Sequence, residues 1–128
     1  MATWNDLSRY VNRKYPVQSE DDNSIRLTYA TEGTRSQLVI LWLHVFMDDE
    51  WVEIESPIAP ISEVDAVQAL REAGKLVCGG LIVTGDMLTL RHSAPLENLD
   101  TNEFEQPLAA VVLTADMLEQ ELTGQDKF

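Results

Sequence analysis

The residues of this chain whose spacing suits acid/base chemistry are two glutamates and two histidines. Glu53 and Glu55 lie two positions apart in a stretch with strand periodicity, so their carboxylates would share a face about 7 Å apart, near glycosidase separations. His44 and His92 each lie among apolar residues at strand spacing, where an acid/base role or a metal pair is conceivable. Structural explanations compete with both: a solvated strand face for the glutamates, and a packed core or interface for the histidines.

No other motif in the sequence supports catalysis or a bound cofactor. Cys78 has no neighbouring base that would activate its thiol, and two histidines without further ligands make a poor zinc site. Gly79-Gly80 lacks the Gly-Lys-Ser/Thr ending and the following helix of a phosphate-binding loop. The acidic stretch 20–22 lacks the ligand spacing and the glycine of a calcium loop. We therefore expect a non-enzymatic protein with no catalytic residues, no metal and no cofactor.

Net charge is the most unusual property of the composition, because 22 acidic residues against 9 Lys and Arg give a formal charge of −13. Such a surface repels the phosphate backbone of nucleic acids and the headgroups of anionic membranes. We therefore expect neither a nucleic-acid partner nor a membrane partner. The charge is typical of a soluble protein, and it would also steer the chain toward a basic protein partner.

Three features predict a cytoplasmic protein. The lone Cys78 can form no intramolecular disulfide, and the N-terminus lacks the basic and apolar regions of a signal peptide. The longest apolar run, residues 38–47, contains His44 and has about half the length of a membrane-spanning helix. The 128 residues fit one domain, 1–128, with an ordered core expected at about 3–123.

Capping signals predict the first and the last of three helices. Thr3, followed by an acidic residue three positions later, predicts a helix that ends before Pro16. Asp100 and Glu103 predict the start of a long final helix. Pro107 lies within its opening turns, so we expect a kink or a delayed start there.

The middle helix is predicted from Ser62, which forms a capping box with Asp65. Gly74 would end this helix. Its apolar residues recur at helical spacing: Val64, Val67 and Leu70.

Alternating apolar and polar residues predict about five strands, at 25–30, 37–47, 51–55, 81–84 and 87–92. The stretch 18–24 is polar and has no period, so we expect a solvated connection there. Pro57 and Pro60 should end the third predicted strand. These elements predict an α+β fold in the order α-β-β-β-α-β-β-α, a single antiparallel sheet with helices packed on one face.

The two faces of this sheet differ in composition. One face offers enough apolar side chains to receive two or three helices: Ile25, Leu27, Tyr29, Val52, Ile54, Leu88 and Leu90. The strand 37–47 is apolar on both faces, so one of its two sets of side chains needs cover from another chain. We predict a partner or dimer surface formed by seven residues: Ile40, Trp42, His44, Phe46, Trp51, Glu53 and Glu55. Trp51 would serve as an anchor, whereas Trp42 would be either an anchor or a residue of the core, because the sequence does not say whether Trp42 or Leu43 faces the helices.

The order of elements resembles the class I type III secretion chaperone-like superfamily, which includes bacterial YbjN-type proteins, described as sensory transduction regulators. The resemblance rests on three segments: 38–43 (LVILWL), 51–57 (WVEIESP), and 80–91 (GLIVTGDMLTLR) before the acidic final helix. It implies a small, acidic, cytosolic homodimer that binds a protein segment without catalysis. It transfers no functional residue to this chain.

The leading hypothesis is therefore a non-enzymatic, chaperone-like module that acts as a homodimer and binds a protein or peptide segment, with a basic segment favoured by charge. A first alternative keeps the fold and makes the chain a regulatory or sensory domain that binds a small ligand in a closed apolar pocket. A second alternative is an acid/base hydrolase that uses Glu53, Glu55 and one of the histidines.

Overall fold

Three helices and six strands form the described part of the chain, residues 1–124 of a computed structural model. The helices are α1 (Trp4–Lys14), α2 (Ala66–Ala73) and α3 (Thr101–Thr123). The strands are β1 (Val17–Glu20), β2 (Ser24–Ala30), β3 (Ser36–Phe46), β4 (Asp49–Pro60), β5 (Gly80–Thr84) and β6 (Met87–Pro95). They form one antiparallel sheet in the order β1-β2-β3-β4-β6-β5. The α+β class is confirmed, whereas the predicted strand count and element order lack one strand.

The additional strand is β1, which lies in the stretch predicted to be a solvated connection. It pairs with β2 at the edge of the sheet, with an irregularity between Val17 and Ser19. Three of its four residues are exposed, so the sequence there carries no apolar alternation. The strand forms through main-chain hydrogen bonds to β2. Such bonds do not depend on the pattern of side chains, so the sequence does not reveal them.

Strand β4 continues to Pro60, so the prediction that Pro57 ends it is wrong. The last β3–β4 pair is Ile40 with Glu55, after which the two strands separate. Side chains fill the gap: the Gln37 amide donates to the Ser56 hydroxyl and to the Pro57 carbonyl, both at 2.9 Å. Because no β3 residue faces Pro57 in the ladder, its missing N–H costs no strand pairing.

The capping predictions for α1 and α3 are confirmed. The Thr3 hydroxyl accepts from the Asp6 main-chain N–H at 3.2 Å, and Asp100 and Glu103 form a reciprocal capping box. Helix α3 is continuous from Thr101 with Pro107 inside it, so the delayed start expected at that proline is wrong. Among residues 1–124, no helix combines the length and the apolar character that a membrane crossing requires. The expected end of the ordered core near 123 borders residues 125–128, which lie outside the described residues.

Helix α2 begins later than predicted. Its N-cap is Asp65, whose carboxylate accepts from the N–H groups of Val67 and Gln68 at 3.0 and 3.1 Å. The segment before it, Ile61–Glu63, is a 3-10 turn, which displaces the predicted start at Ser62. The predicted apolar face is also wrong, since Val67 and Leu70 are 58% and 64% exposed. The small side chain of Ala69 is the one that α2 buries.

Helices α1 and α3 cover one face of the sheet, which we call the covered face. Its strand residues are at most 4% exposed: Ile25, Leu27, Val39, Leu41, Val52, Ile54, Leu88 and Leu90. The helices add further fully buried side chains to the same core: Leu7, Val11, Leu108, Val111 and Val112. The strand residues predicted to receive the helices thus do so. Tyr29, which is partly buried, packs at the margin of this core.

A carboxylate links α1 to α3 on the covered face. Glu105 accepts hydrogen bonds from the hydroxyls of Tyr10 and Tyr15, and the Lys14 ammonium lies 3.2 Å from it. Burial by itself would raise the pKa of Glu105, but these three donors outweigh it together and lower that pKa. Burial and the same carboxylate raise the pKa of Tyr15. The network stabilises the packing of α1 on α3.

Candidate partner-binding face

The face of the sheet opposite the helices, which we call the open face, carries all seven residues predicted for the partner surface. The register of β3 and β4 places them in directly opposed pairs: Ile40 with Glu55, Trp42 with Glu53, His44 with Trp51, and Phe46 with Asp49. The structure therefore brings the predicted residues together on the two central strands. The residues that alternate with them along the same strands, such as Leu41 and Ile54, point to the covered face and are buried.

A shallow basin of about 220 Å³ lies at one end of the open face, and we call it the Ile40 basin. Apolar side chains make up most of its lining: Leu38, Ile40, Trp42, Pro57 and Met87. Trp42 is 39% exposed, so its ring forms a wall that solvent also reaches. Arg26 and Glu55 are the charged residues of the lining.

A second basin, of about 210 Å³, lies at the other end of the same strands, and we call it the Trp51 basin. Its lining consists of His44, Phe46, Trp51, Glu53 and Ser93. Phe46 is 56% exposed. Two aromatic rings thus lie at the surface of a basin that no described element covers.

Three charged side chains separate the two basins, and we call Glu53, Arg91 and Glu55 the carboxylate bridge. The Arg91 guanidinium contacts one oxygen of Glu55 at 2.5 and 2.6 Å, and lies 3.3 Å from Glu53. The other oxygen of Glu55 accepts from the Trp42 indole N–H at 3.0 Å. Glu55 is only 4% exposed, so these donors replace the water that its carboxylate loses.

The role of Arg91 could not be predicted from the sequence. Alternation along β6 places Arg91 on the face of Thr89 and Met87, but it does not say which strand lies beside β6. That neighbour is β4, and its register sets Arg91 directly opposite Glu55. The sequence did contain a signal, namely one arginine in a strand of mostly apolar residues and two glutamates in another strand. That signal predicts a salt bridge only when the register between the two strands is known.

The two histidines lie on opposite faces of the sheet. His44 is on the open face with its Nδ1 3.5 Å from a Glu53 oxygen. His92 pairs with Ile54 on the covered face, where burial lowers its pKa. The histidine pair considered for a metal therefore does not form, and residues 1–124 contain no cluster of three or more potential ligands.

His44, Glu53 and Glu55 are contiguous, so distance alone does not separate them from an acid/base set. Their contacts do distinguish them: Arg91 and the Trp42 indole donate hydrogen bonds to the Glu55 carboxylate, whereas Glu53 lies 3.3 Å from Arg91 and 3.5 Å from His44. Cys78 lies outside this face, and burial raises the pKa of its thiol. A thiol with a raised pKa is a weaker nucleophile at neutral pH.

The β3–β4 hairpin ends in an unusual turn beside the Trp51 basin. Phe46 pairs with Asp49, so Met47 and Asp48 form a two-residue loop, and both have positive φ angles, 53° and 66°. Such turns normally contain glycine or asparagine. Instead, the tip exposes three consecutive apolar side chains, with 61% of Val45, 56% of Phe46 and 79% of Met47 accessible.

No protein-family model and no curated protein matches the chain.

Proposed function

We propose that this chain is a non-enzymatic, chaperone-like module that binds a segment of another protein on its open face and acts as a homodimer. The observation that carries the proposal is the uncovered open face: two basins of about 220 and 210 Å³ lie on the central strands. The resemblance to class I type III secretion chaperones points to the same activity.

The composition of the open face supports protein binding. Interface cores are enriched in aromatic side chains, methionine and arginine, and Trp42, Phe46, Met87 and Arg91 bring all three classes to the open face. Exposed apolar patches rimmed by polar groups are typical of interaction sites. The partner would cover Trp42 and Phe46, which are 39% and 56% exposed.

The same contacts favour binding over catalysis. A general acid or base needs an oxygen free to reach substrate. The oxygens of Glu55 are occupied by Arg91 and the Trp42 indole at hydrogen-bonding distance, and only 4% of the residue is exposed. This glutamate holds the open face in shape, and the hydrolase alternative loses one of its two carboxylates.

A different surface suits the homodimer, namely the free edge of β5. Strand β5 has no charged residue and no proline, and Val83 is 54% exposed. If two copies paired antiparallel about Ile82, Leu81 of each would lie opposite Val83 of the other. Apolar side chains would then meet on the covered face at both positions. Leu70 of α2, 64% exposed, flanks the same edge.

The sensory alternative has less support. The layer between the sheet and helices α1 and α3 is filled by fully buried side chains such as Leu41 and Leu108. The cavity between α2 and β5 measures about 160 Å³, below the range of about 300–1,000 Å³ that is typical of ligand pockets. Two larger cavities, of about 310 and 340 Å³, lie beside Tyr15 and beside Glu20 at the β1 edge of the sheet, outside the layer between the sheet and the helices.

Partner binding is tested by affinity capture from the native host with two matched variants. Trp42→Ser combined with Phe46→Ser removes the anchors of both basins, and Leu113→Ser removes a side chain of α3 that is 51% exposed. We expect the natural chain and the Leu113 variant to retain the same partner, and the double variant to lose it. A partner retained equally by all three would contradict the proposal.

The dimer is tested by light scattering at micromolar concentration. We expect twice the 14.4 kDa of one chain, a monomer for Val83→Lys, and a dimer for the control Val77→Lys, whose position is 94% exposed and outside β5. A natural chain that is monomeric would refute the dimer. A Val83→Lys dimer would place the interface elsewhere.

A further inference from the structure

Strand pairing restricts what kind of segment can lie on the open face. Strand β3 is paired with β2 and β4, β4 with β3 and β6, and β6 with β4 and β5. The hydrogen bonds of these ladders lie in the plane of the sheet, and where β3 leaves β4 the carbonyls of Leu38 and Pro57 accept from the side chains of Ser56 and Gln37, so the paired main chain offers no partners to a segment that lies on the face. A segment that covers the face must satisfy its own N–H and C=O groups.

An α-helix satisfies those groups internally, whereas an extended segment on this face would bury them without partners. Resting on the proposed function, we infer that the segment bound by the open face is an amphipathic helix with one apolar anchor in each basin and a basic side chain between them.

The spacing of the basins sets the spacing of the anchors. The Ile40 basin is centred on β3 near Ile40, and the Trp51 basin between His44 and Phe46. Five residues of strand separate these centres, a distance of roughly 17 Å at 3.3 Å per residue. A helix rises 1.5 Å per residue, so its anchors lie about 11 residues apart, three turns along one face.

Charge complementarity sets the residues between the anchors. The carboxylate bridge lies between the basins and holds two glutamates against one arginine, which leaves one negative charge. Glu53 is the more accessible of the two glutamates, because its side chain is 16% exposed against 5% for Glu55, and its contacts with Arg91 and His44 are longer, at 3.3 and 3.5 Å. Arg26 lines the Ile40 basin and Asp49 pairs with Phe46 at the other end of the face, so these two opposite charges leave the formal sum at −1. A helix with Arg or Lys at i+4 or i+7 would therefore contact Glu53.

The occupant comes from another protein. Among residues 1–124, helix α1 is packed on the covered face, and α2 has only eight residues, about two turns. The chain's own long helix, α3, is already buried on the covered face.

The probe is an 18-residue alanine-rich peptide, labelled with fluorescein, with Phe at positions 4 and 15 and Arg at positions 8 and 11. These four positions fall on one helix face. Three matched peptides each change one property: a Pro at position 10 breaks the helix, Glu replaces both Arg, or the second Phe moves to position 13 on the opposite face. Fluorescence anisotropy at fixed salt measures each dissociation constant with the full-length protein.

We expect each altered peptide to bind at least tenfold more weakly than the parent peptide. We also expect the parent to bind the Trp42→Ser, Phe46→Ser protein at least tenfold more weakly, and the Leu113→Ser protein unchanged. Equal binding of the Pro peptide would overturn the helix, and equal binding of the Glu peptide would overturn the basic residue. Both results would leave the proposed function standing.

Absence of binding by the parent peptide separates the two levels of inference. If affinity capture of a natural partner still depends on Trp42 and Phe46, the proposed function holds and the helical segment is refuted. If capture is also indifferent to those residues, both are refuted.

Discussion

The two faces of the sheet are made from alternate residues of the same strands, yet the side chains of one face are buried and those of the other remain partly exposed. Leu41 is fully buried beneath the helices, while its neighbours Ile40 and Trp42 line a basin open to solvent. The covered face is completed by this chain's own α1 and α3. The open face is held in shape by a salt-bridged cluster and leaves aromatic rings exposed, so the difference separates residues that fold the chain from residues available to a partner.

Each face also contains a carboxylate that anchors its neighbours. On the covered face, Glu105 accepts from two tyrosines and joins α1 to α3. On the open face, Glu55 accepts from Trp42 and Arg91 and fixes two side chains of the candidate binding surface. The first network stabilises the packing of secondary structure, and the second organises a surface.

The largest effect should separate the faces directly. We expect Leu41→Ala to lower the free energy of unfolding by about 3 kcal/mol, because it empties a fully buried position. Ile40→Ala, one residue away and half-buried, should cost about 1 kcal/mol or less. Urea unfolding of both variants measures the contrast. Equal losses of unfolding free energy would mean that Ile40 on the open face belongs to the folding core as much as Leu41 does. The proposed difference between the two faces would then be wrong.

The second effect tests whether the carboxylate bridge supports the open face. Arg91→Ala leaves the nearly buried Glu55 with one donor, so we expect a loss of about 2 kcal/mol, reduced from the buried-pair range because Arg91 is partly exposed. The control is Glu55→Gln with Arg91→Met, which removes both charges of that pair together. It should unfold within about 1 kcal/mol of the natural chain. If the single variant were as stable as the double, Glu55 would need no counterion.

Side-chain alternation was sufficient to predict the two faces. The period-two pattern of residues 25–30 and 51–55 assigned Ile25, Leu27, Val52 and Ile54 to one face, and burial agrees. Capping residues also fixed the starts of α1 and α3. These features are local, since they depend on residues within a few positions of one another.

The features that could not be predicted depend on pairing between distant segments. Strand β1 has no apolar pattern because it lies at an edge. The contact between Arg91 and Glu55 needs the β4–β6 register, and the length of β4 depends on where β3 leaves it. The face of helix α2 was misassigned because Val67 and Leu70 have helical spacing but lie at the surface.

The third effect concerns the carboxylate of the covered face. The pKa of Glu105 is lower in the folded chain than its ordinary value of 4.5, so its ionised form stabilises the fold. That contribution is complete above about pH 5 and disappears as pH falls through the folded pKa. We expect Glu105→Gln to lower the free energy of unfolding by about 1.5 kcal/mol at pH 7, and the deficit to shrink toward pH 3.

Urea unfolding from pH 3 to pH 7 measures this dependence, with Glu97→Gln as the control at an exposed glutamate. The control should differ little from the natural chain at any pH. A Glu105→Gln deficit that stayed constant with pH would show that the loss comes from packing and not from the charge.

The smallest effect lies at the hairpin tip, where Val45 from the covered side and Phe46 from the open side both reach solvent. Met47 has a φ of 53°, a left-handed conformation that costs a residue with a β-carbon about 1 kcal/mol. We expect Met47→Gly to raise the free energy of unfolding by about 0.5 kcal/mol, since relief of this strain is partly offset by the greater freedom of glycine in the unfolded chain. Met47→Ala keeps the β-carbon, so it should gain nothing. Both variants lose the same exposed side chain and should weaken partner capture equally. If the glycine and alanine variants had equal free energies of unfolding, the left-handed backbone of Met47 would cost the fold nothing. The hairpin turn would then be unstrained at this position.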